Sequence, residues 1–412
     1  MIKLLKSFIN RMDIICNHNI CTGCQACRLA CPMHCISMKE DARGNIYPEI
    51  DNTKCINCNL CRKICPSLSP PSFSEKPLNV YAGWAKDKLA RQYSTSGGIS
   101  YALSKYFLKN QDYFCGAIWT KNGAIHKLTS NQSDIKSFQG SKYSHSDVKD
   151  CYKEVSDKLK YGKKVLFTGT PCQIAGLRKF LGKEYDNLYT VDIICHGVPS
   201  RRILRDRIHD IEQSNGKEVI EMRFRDKNPD QLHTCCKYIF KDKSFVLHEY
   251  SKDFFCRSYV DNYALRENCF NCQYSRLQRV SDLTIADFWS FQPKSMKFYN
   301  YELGVSIIIV NTKRGQELIN YIKNNIIYEE RSYTECSNRN LYESQLKPKD
   351  YEAYWNDYDN NIPKAEIQKK YLSCPIPHKK SFSDKVRKFA NAFFPNIIMD
   401  SVRSILKLIR KK

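Results

Sequence analysis

The sequence contains no run of 18 apolar residues, so no segment is expected to cross a membrane as a helix. Its first residues, MIKLLKSFIN, form a short apolar stretch broken by Lys3 and Lys6, and no small-residue cleavage site follows. A secretory leader is therefore not expected. Neither a G-x-G-x-x-G fingerprint nor a P-loop occurs, which argues against an ordinary dinucleotide-binding or NTPase site. Acidic residues are in the minority, 43 against 66 Lys and Arg, giving a net charge of +23. Such a balance favours anionic partners. With no recognised nucleic-acid motif and no aromatic–basic platform, nucleic acid is not expected to be one of them.

Cysteine is abundant instead, at 21 of 412 residues, and ten of these precede residue 66. Without a leader, metal-bound thiolates in a reducing cytoplasm fit this usage better than disulfides. CTGCQACRLACP places Cys21, Cys24, Cys27 and Cys31 at C-x2-C-x2-C-x3-C-P, and CINCNLCRKICP repeats the pattern at Cys55, Cys58, Cys61 and Cys65. Three thiolates at that spacing wrap one 4Fe–4S cubane, and the fourth, before proline, reaches the other. One cluster is thus assigned to Cys21, Cys24, Cys27 and Cys65, and the second to Cys55, Cys58, Cys61 and Cys31. Zinc would favour separated C-x2-C knuckles. Cys16 and Cys35 fall off the pattern and read as ordinary thiols. The unit is a two-cluster ferredoxin module, whose work is one-electron transfer.

SLSPPSFSEKP has the composition of a linker. From Asn79 onward apolar runs and amphipathic segments alternate, reading as α/β with a largely parallel sheet. VIEMRFRD, TCCKYIFKD and SFVLHEY then read as antiparallel strands, and DLTIADFW and GVSIIIVNT as buried ones. In GTPCQIAG, Cys172 follows a predicted strand and precedes a helix; Cys195 follows the next strand. The carboxyl ends of parallel strands are where such sheets bind ligands. Cys269 and Cys272 add a C-x2-C pair in a loop. Spacing alone leaves a third 4Fe–4S cluster and buried free thiols both open. Ser94, Thr95, Ser96, Gly97 and Gly98 precede a helix, a composition that suits either a phosphate or a plain helix cap.

Together STSGG, QGSKYSHS, GTPCQIAGLRKFL, DIICHGVPS, FRDK, CFNCQYSR and SDLTIADFW resemble the family of coenzyme F420 hydrogenase and dehydrogenase beta subunits, from about Tyr81 to Trp289. The resemblance implies an iron–sulfur flavoprotein with a third cluster on Cys172, Cys195, Cys269 and Cys272. It implies FAD facing Ser94–Gly98 and Ser141, Lys142 and Tyr143, with His196 near the flavin. Arg225, Asp226 and Lys227 would lie near the substrate pocket or on the surface, and Asp282 and Asp287 would fix the last strand. The family's deazaflavin substrate is not carried over, because NPDQLHTCCKY follows FRDK here where the family pattern has glycine and tryptophan. Versions fused to a ferredoxin are associated with surface-polysaccharide assembly.

The expected fold class is α+β: a ferredoxin domain over 12–68, a linker over 69–78, and an α/β flavin-binding domain with a mixed sheet. That domain divides into a FAD side over 79–160 and a third-cluster part over 161–375. A basic helical tail over 376–412 completes the chain. The expected activity passes electrons from a ferredoxin-like or other low-potential donor through the clusters to FAD and an organic two-electron substrate. The alternative is an electron-transfer subunit that feeds a partner enzyme. From Lys379 the tail carries ten Lys and Arg against two Asp. Phe382, Val386, Phe389 and Phe393, then Ile398, Val402, Ile405 and Ile409, recur at helical steps on either side of Pro395. These faces would pack on the protein's own core or lie on the anionic inner face of the cell membrane.

Overall fold

The computed structural model describes residues 14–372, apart from 229, 230, 299 and 337; the basic tail expected over 376–412 lies outside them. The amino-terminal module consists of two short helices, Ala26–Ala30 and Leu60–Lys63, and an antiparallel hairpin of β1 (Ile36–Glu40) and β2 (Ile46–Ile50). Its interior is small. Ile15, Ile36 and Tyr47 are buried together with a group of cysteines, so sulfur supplies much of what hydrocarbon would supply elsewhere.

The body of the chain follows the alternation expected from sequence. Its strands are β3 (Asn79–Ala85), β4 (Tyr113–Thr120), β5 (Gly123–Thr129), β6 (Val165–Gly169), β7 (Leu188–Ile193), β8 (Val219–Asn228), β9 (Gln231–Phe240), β10 (Phe245–Glu249), β11 (Leu283–Asp287), β12 (Ser306–Val310) and β13 (Ile326–Arg331). Eight of them form one mixed sheet in the order β13-β3-β12-β11-β7-β6-β4-β5. Its centre, β11-β7-β6-β4, is parallel, and the flanking strands pair antiparallel. Val165, Leu166 and Phe167 in β6 are apolar in succession and all buried, as a strand covered on both faces requires.

Helices supply that cover. Ile99–Lys109 and Lys313–Ile322 pack on one face, through Leu103, Phe107, Leu318 and Ile322. Cys151–Lys160 and Pro171–Leu181 pack on the other, through Tyr152, Val155, Ile174 and Leu177. The remaining strands make a separate antiparallel sheet, β10-β9-β8. Its apolar face meets the helices Arg201–Asn215, Phe254–Val260 and Tyr351–Asp359 in an aromatic core containing Phe224, Tyr238, Phe255 and Trp355.

The Pro- and Ser-rich stretch is tied to this body. Ser74 N donates to Arg279 O at 2.7 Å, Arg279 N donates to Ser74 Oγ at 3.0 Å, and Phe73 packs beside Tyr274. The β1–β2 hairpin is also anchored, with the Arg205 guanidinium donating to both carboxylate oxygens of Glu40 at 2.9 and 2.5 Å. Among the described residues no helix is long and apolar enough to cross a membrane.

Candidate iron–sulfur centres

The two cysteine motifs share one backbone device. Gly23 and Gln25 flank Cys24 with φ of 66° each, and Asn57 and Asn59 flank Cys58 with φ of 54° and 59°. Alternation of left-handed and ordinary residues curls the chain so that successive cysteines turn to one side. Glycine and asparagine tolerate that conformation best. At Gly23 space matters as well: a Cβ would lie 2.8 Å from His145 Cε1 and 3.0 Å from an Arg266 nitrogen.

Each curl surrounds a cavity. Cys21, Cys24 and Cys27 line the first, together with Cys65 from the second motif. Cys55, Cys58 and Cys61 line the other, together with Cys31 from the first motif. Cys16 and Cys35, read from sequence as ordinary thiols, also face these cavities. Cys16 Sγ lies 3.9 Å from Cys65 Sγ, and Cys35 Sγ lies 3.4 Å from Cys31 Sγ. The contact with Cys16 draws Cys21 and Cys65 each down to about 6, against their own burial. No spacing rule would have revealed this, since the hairpin and turns that return Cys16 and Cys35 to the cavities are tertiary features.

A further sulfur group lies in the body. Cys172 occupies the first turn of the helix Pro171–Leu181, whose start is fixed by a capping box between Thr170 and Gln173. Cys195 follows β7, the parallel neighbour of β6, so both thiols stand at the carboxyl edge of the sheet. Cys269 falls in the short turn Glu267–Asn271 and Cys272 directly follows it. The four are within electrostatic reach of one another. Burial, reinforced by neighbouring sulfurs, pushes Cys172 and Cys269 up to about 12 and Cys195 well above the ordinary thiol range. Cys172, Cys195 and Cys269 are poor acids alone, but with Cys272 they form a suitable donor set for a thiophilic cluster.

The two sulfur regions share a helix. Gly176, one turn beyond Cys172, abuts Cys24: a Cβ at Gly176 would lie 3.0 Å from Cys24 Cβ and 3.1 Å from Cys24 Sγ. Burial first, and then the sulfurs of Cys172, Cys24, Cys272 and Cys65, push the Tyr274 phenol above its ordinary range; its hydroxyl lies 3.4 Å from Pro66 O.

The serine–glycine turn is also organised by packing. Gly97 N donates to Ser306 Oγ at 3.0 Å, and a Cβ there would lie 2.4 Å from Gly83 O. The Ser94 and Ser96 hydroxyls donate to Ala90 O and Val305 O at 2.8 and 2.9 Å. Gly98, with φ of 86°, opens the helix Ile99–Lys109, which no side chain caps. Thr95 Oγ1 accepts from Ser141 N at 2.7 Å, joining this turn to the Ser141–Tyr143 segment. Lys142 Nζ donates to Ser137 O and Gln139 O at 2.9 Å each, and burial lowers its amine to about 7. Tyr143 packs against Phe224 and Tyr259. His196 Nε2 lies 3.2 Å from Tyr259 O, so that nitrogen is already engaged.

The charged residues of β8 and β11 have defined partners. Arg225 pairs with Asp287 at 2.5 Å and lies over the Trp289 ring at 4.8 Å. Lys227 Nζ donates to Arg91 O, Ser96 O and Leu303 O at 2.9, 2.7 and 2.5 Å, holding the serine–glycine turn. Arg223 lies 3.8 Å from Asp226. Asp282 accepts from Thr190 N at 2.8 Å and from Thr312 Oγ1 at 2.8 Å, joining β7 to the end of β12.

Comparison with known proteins agrees with this layout. Residues 20–68 match the 4Fe–4S dicluster domain, and residues 162–335 match the family described as the C-terminal part of the coenzyme F420 hydrogenase/dehydrogenase beta subunit. Among curated proteins the chain is 21% identical over 223 residues to a subunit of the F(420)H(2) dehydrogenase of Methanosarcina mazei, covering 51% of this chain and 63% of that one. It is 24% identical over 328 residues to the coenzyme F420-dependent sulfite reductase of Methanocaldococcus jannaschii, covering 76% of this chain and 47% of that one. The chain thus spans between about half and under two thirds of these relatives. A chain from the F420-reducing [NiFe] hydrogenase complex of Methanosarcina barkeri aligns over 74% of this chain and 98% of its own, at 18% identity. Its TM-score of 0.42 is too low to argue shared architecture. On these two matches, the chain is an iron–sulfur, electron-transfer protein that carries a 4Fe–4S dicluster domain ahead of a domain matching the C-terminal part of the coenzyme F420 hydrogenase/dehydrogenase beta subunit.

Proposed function

We propose that the chain conducts electrons from a low-potential donor through the dicluster domain to a third 4Fe–4S cluster, and from there to FAD and an organic two-electron substrate. Cys21, Cys24, Cys27 and Cys65 hold the first cluster, and Cys31, Cys55, Cys58 and Cys61 the second. Cys172, Cys195, Cys269 and Cys272 hold the third. The observation that carries this reading is the abutment of Cys24 on Gly176, one helical turn from Cys172. It brings sulfur from the dicluster domain and sulfur from the body onto one short element, as electron transfer between them requires.

The residues around Ser94–Gly98 fit a dinucleotide phosphate through the backbone rather than through serine hydroxyls. The helix Ile99–Lys109 has no side-chain cap, and the first amides of a helix have no intrahelical partner. When bound, a flavin would accept single electrons and deliver them in pairs. Lys142 would place a partly protonated amine near it, Tyr143 would wall the site from water, and Lys227 would keep the phosphate turn in place. His196 would act from its remaining ring nitrogen.

The relatives' names, a dehydrogenase subunit and a reductase, also favour a second reading: an electron-transfer subunit whose acceptor is a partner protein. Anaerobic reconstitution with iron, sulfide and flavin analysis tests the main proposal. About twelve irons are expected from three cubanes of four. Cys172→Ser should lose one third of them, and an iron count near eight in intact wild type would refute the third cluster. Substrate turnover by the isolated chain with an artificial donor separates the two readings.

A further inference from the structure

One side chain at the junction of the two sulfur regions has no role in the account above. Arg266 is completely buried. Its Nε donates to Cys21 O at 2.9 Å, and its guanidinium lies over the Tyr47 ring at 4.1 Å. Neither terminal nitrogen has a hydrogen-bond partner among the described residues. The nearby carboxylate of Glu267 is committed elsewhere, 2.8 Å from Lys347 Nζ. His145, beside the same Gly23, likewise has both ring nitrogens buried without a partner. A buried, unpaired guanidinium is strongly unfavourable unless some anion balances it.

The available anions are sulfur. Arg266 acts on Cys21 in the first curl and on Cys172 and Cys269 in the body. Its backbone is fixed between the same elements: Arg266 N donates to Val198 O at 3.0 Å, and Cys269 N donates to Arg266 O at 2.9 Å. A cubane on four thiolates is anionic, and each reduction adds a negative charge. A fixed neighbouring cation favours the reduced form and raises the potential.

We infer that Arg266 is a positioning residue for electron transfer: a shared counter-ion that raises the reduction potentials of the first dicluster-domain cluster and the third cluster together, and leaves the second dicluster-domain cluster unaffected. The part concerning the third cluster rests on the function proposed above; the part concerning the first does not. Because it shifts both acceptors in the same direction, Arg266 draws electrons toward the pair while leaving the step between them little changed.

The test is an EPR-monitored redox titration of the anaerobically reconstituted full chain carrying Arg266→Gln or Arg266→Lys. Arg266→Gln should keep its iron and lower the reduction equilibrium constant of the first cluster about tenfold, a shift of about 59 mV for one electron. The third cluster should shift in the same direction, the second should not move, and Arg266→Lys should stay near wild type. Full iron with all potentials unchanged in Arg266→Gln would overturn the inference. If Arg266→Gln cannot hold its clusters, retention of iron and of wild-type potentials by Arg266→Lys supports a charge role. Loss of iron in both variants makes the residue a packing element and overturns it. A wild type with eight irons would remove the third cluster from the account while leaving the shift of the first readable.

Discussion

Filling Gly176 sets two well-characterised effects against each other. The residue lies inside the helix Pro171–Leu181, where propensity favours alanine over glycine by about 1 kcal/mol. Space argues the opposite. A Cβ would meet Cys24 Cβ and the Tyr152 hydroxyl at 3.0 Å each, whereas comfortable carbon contacts are about 3.5–4.0 Å. Tyr152 cannot easily retreat, because its hydroxyl donates to Gln173 O at 2.8 Å. Overpacking of this kind costs about 1–3 kcal/mol, so Gly176→Ala should destabilise by a net of about 0–2 kcal/mol. Gly176→Val forfeits most of the propensity gain and adds two methyl groups, so its cost should be at least about 2 kcal/mol. Turning the Cys24 side chain relieves only the 3.1 Å contact with its Sγ, an adjustment open to the metal-free chain but not to one in which that sulfur is bonded to iron. The damage should therefore fall more heavily on the loaded form. Iron analysis and thermal unfolding, each with and without reconstitution, would show it. Gly176→Val should lose about two thirds of its iron, the two dicluster-domain cubanes together, while keeping wild-type far-UV circular dichroism, with Gly176→Ala intermediate. Wild-type iron in both variants, with melting temperatures at or above wild type, would refute the argument.

Lys142 supplies a pH signature. Burial holds its amine at about 7 against an ordinary 10.5, and a neutral amine has two N–H groups for its two carbonyl partners. Between those values the unfolded chain binds a proton that the native chain does not, so stability rises with pH through that window and the penalty is complete below it. Lys142→Met should flatten this part of a urea-unfolding profile; an unaltered slope would contradict the assignment. The tail gives a third outcome. Co-sedimentation with anionic vesicles should be salt-sensitive for the full chain and absent from a version ending at Pro375, each basic residue near the surface contributing about 1 kcal/mol. Equal sedimentation of the two would leave packing on the core.

Much of this architecture is legible because its signals are local. The apolar runs around Leu166, Val191 and Ile308 read as buried strands, and Cys172 and Cys195 are brought together because β6 and β7 are parallel neighbours. The edge strands are harder to read. β13, IIYEER, has charge on half its length, and β5, GAIHKLT, hides His126 as a buried residue bonded to Ser146 and Thr168 O. The serine–glycine turn reads equally as a phosphate loop or a cap, yet its glycine answers to a third demand, the approach of β3 and β12. Arg266 carries no signal, since an arginine three residues before a cysteine gives no hint that its charge lies beside sulfur from residue 21.

The crossing of Cys31 and Cys65 between the two cavities has a mechanical consequence. With cubanes in both, the module is a ring closed twice: one inorganic rivet joins residues 21–27 to 65, and the other joins 55–61 to 31. Withdrawing either rivet frees one arm of the other's own loop. Its hydrocarbon interior is too slight to hold the open form, so the two clusters should be assembled and surrendered as a pair. Exposure to oxygen or chelator would then produce few half-loaded molecules, and the electron path would fail as a switch rather than as a gradual dimming.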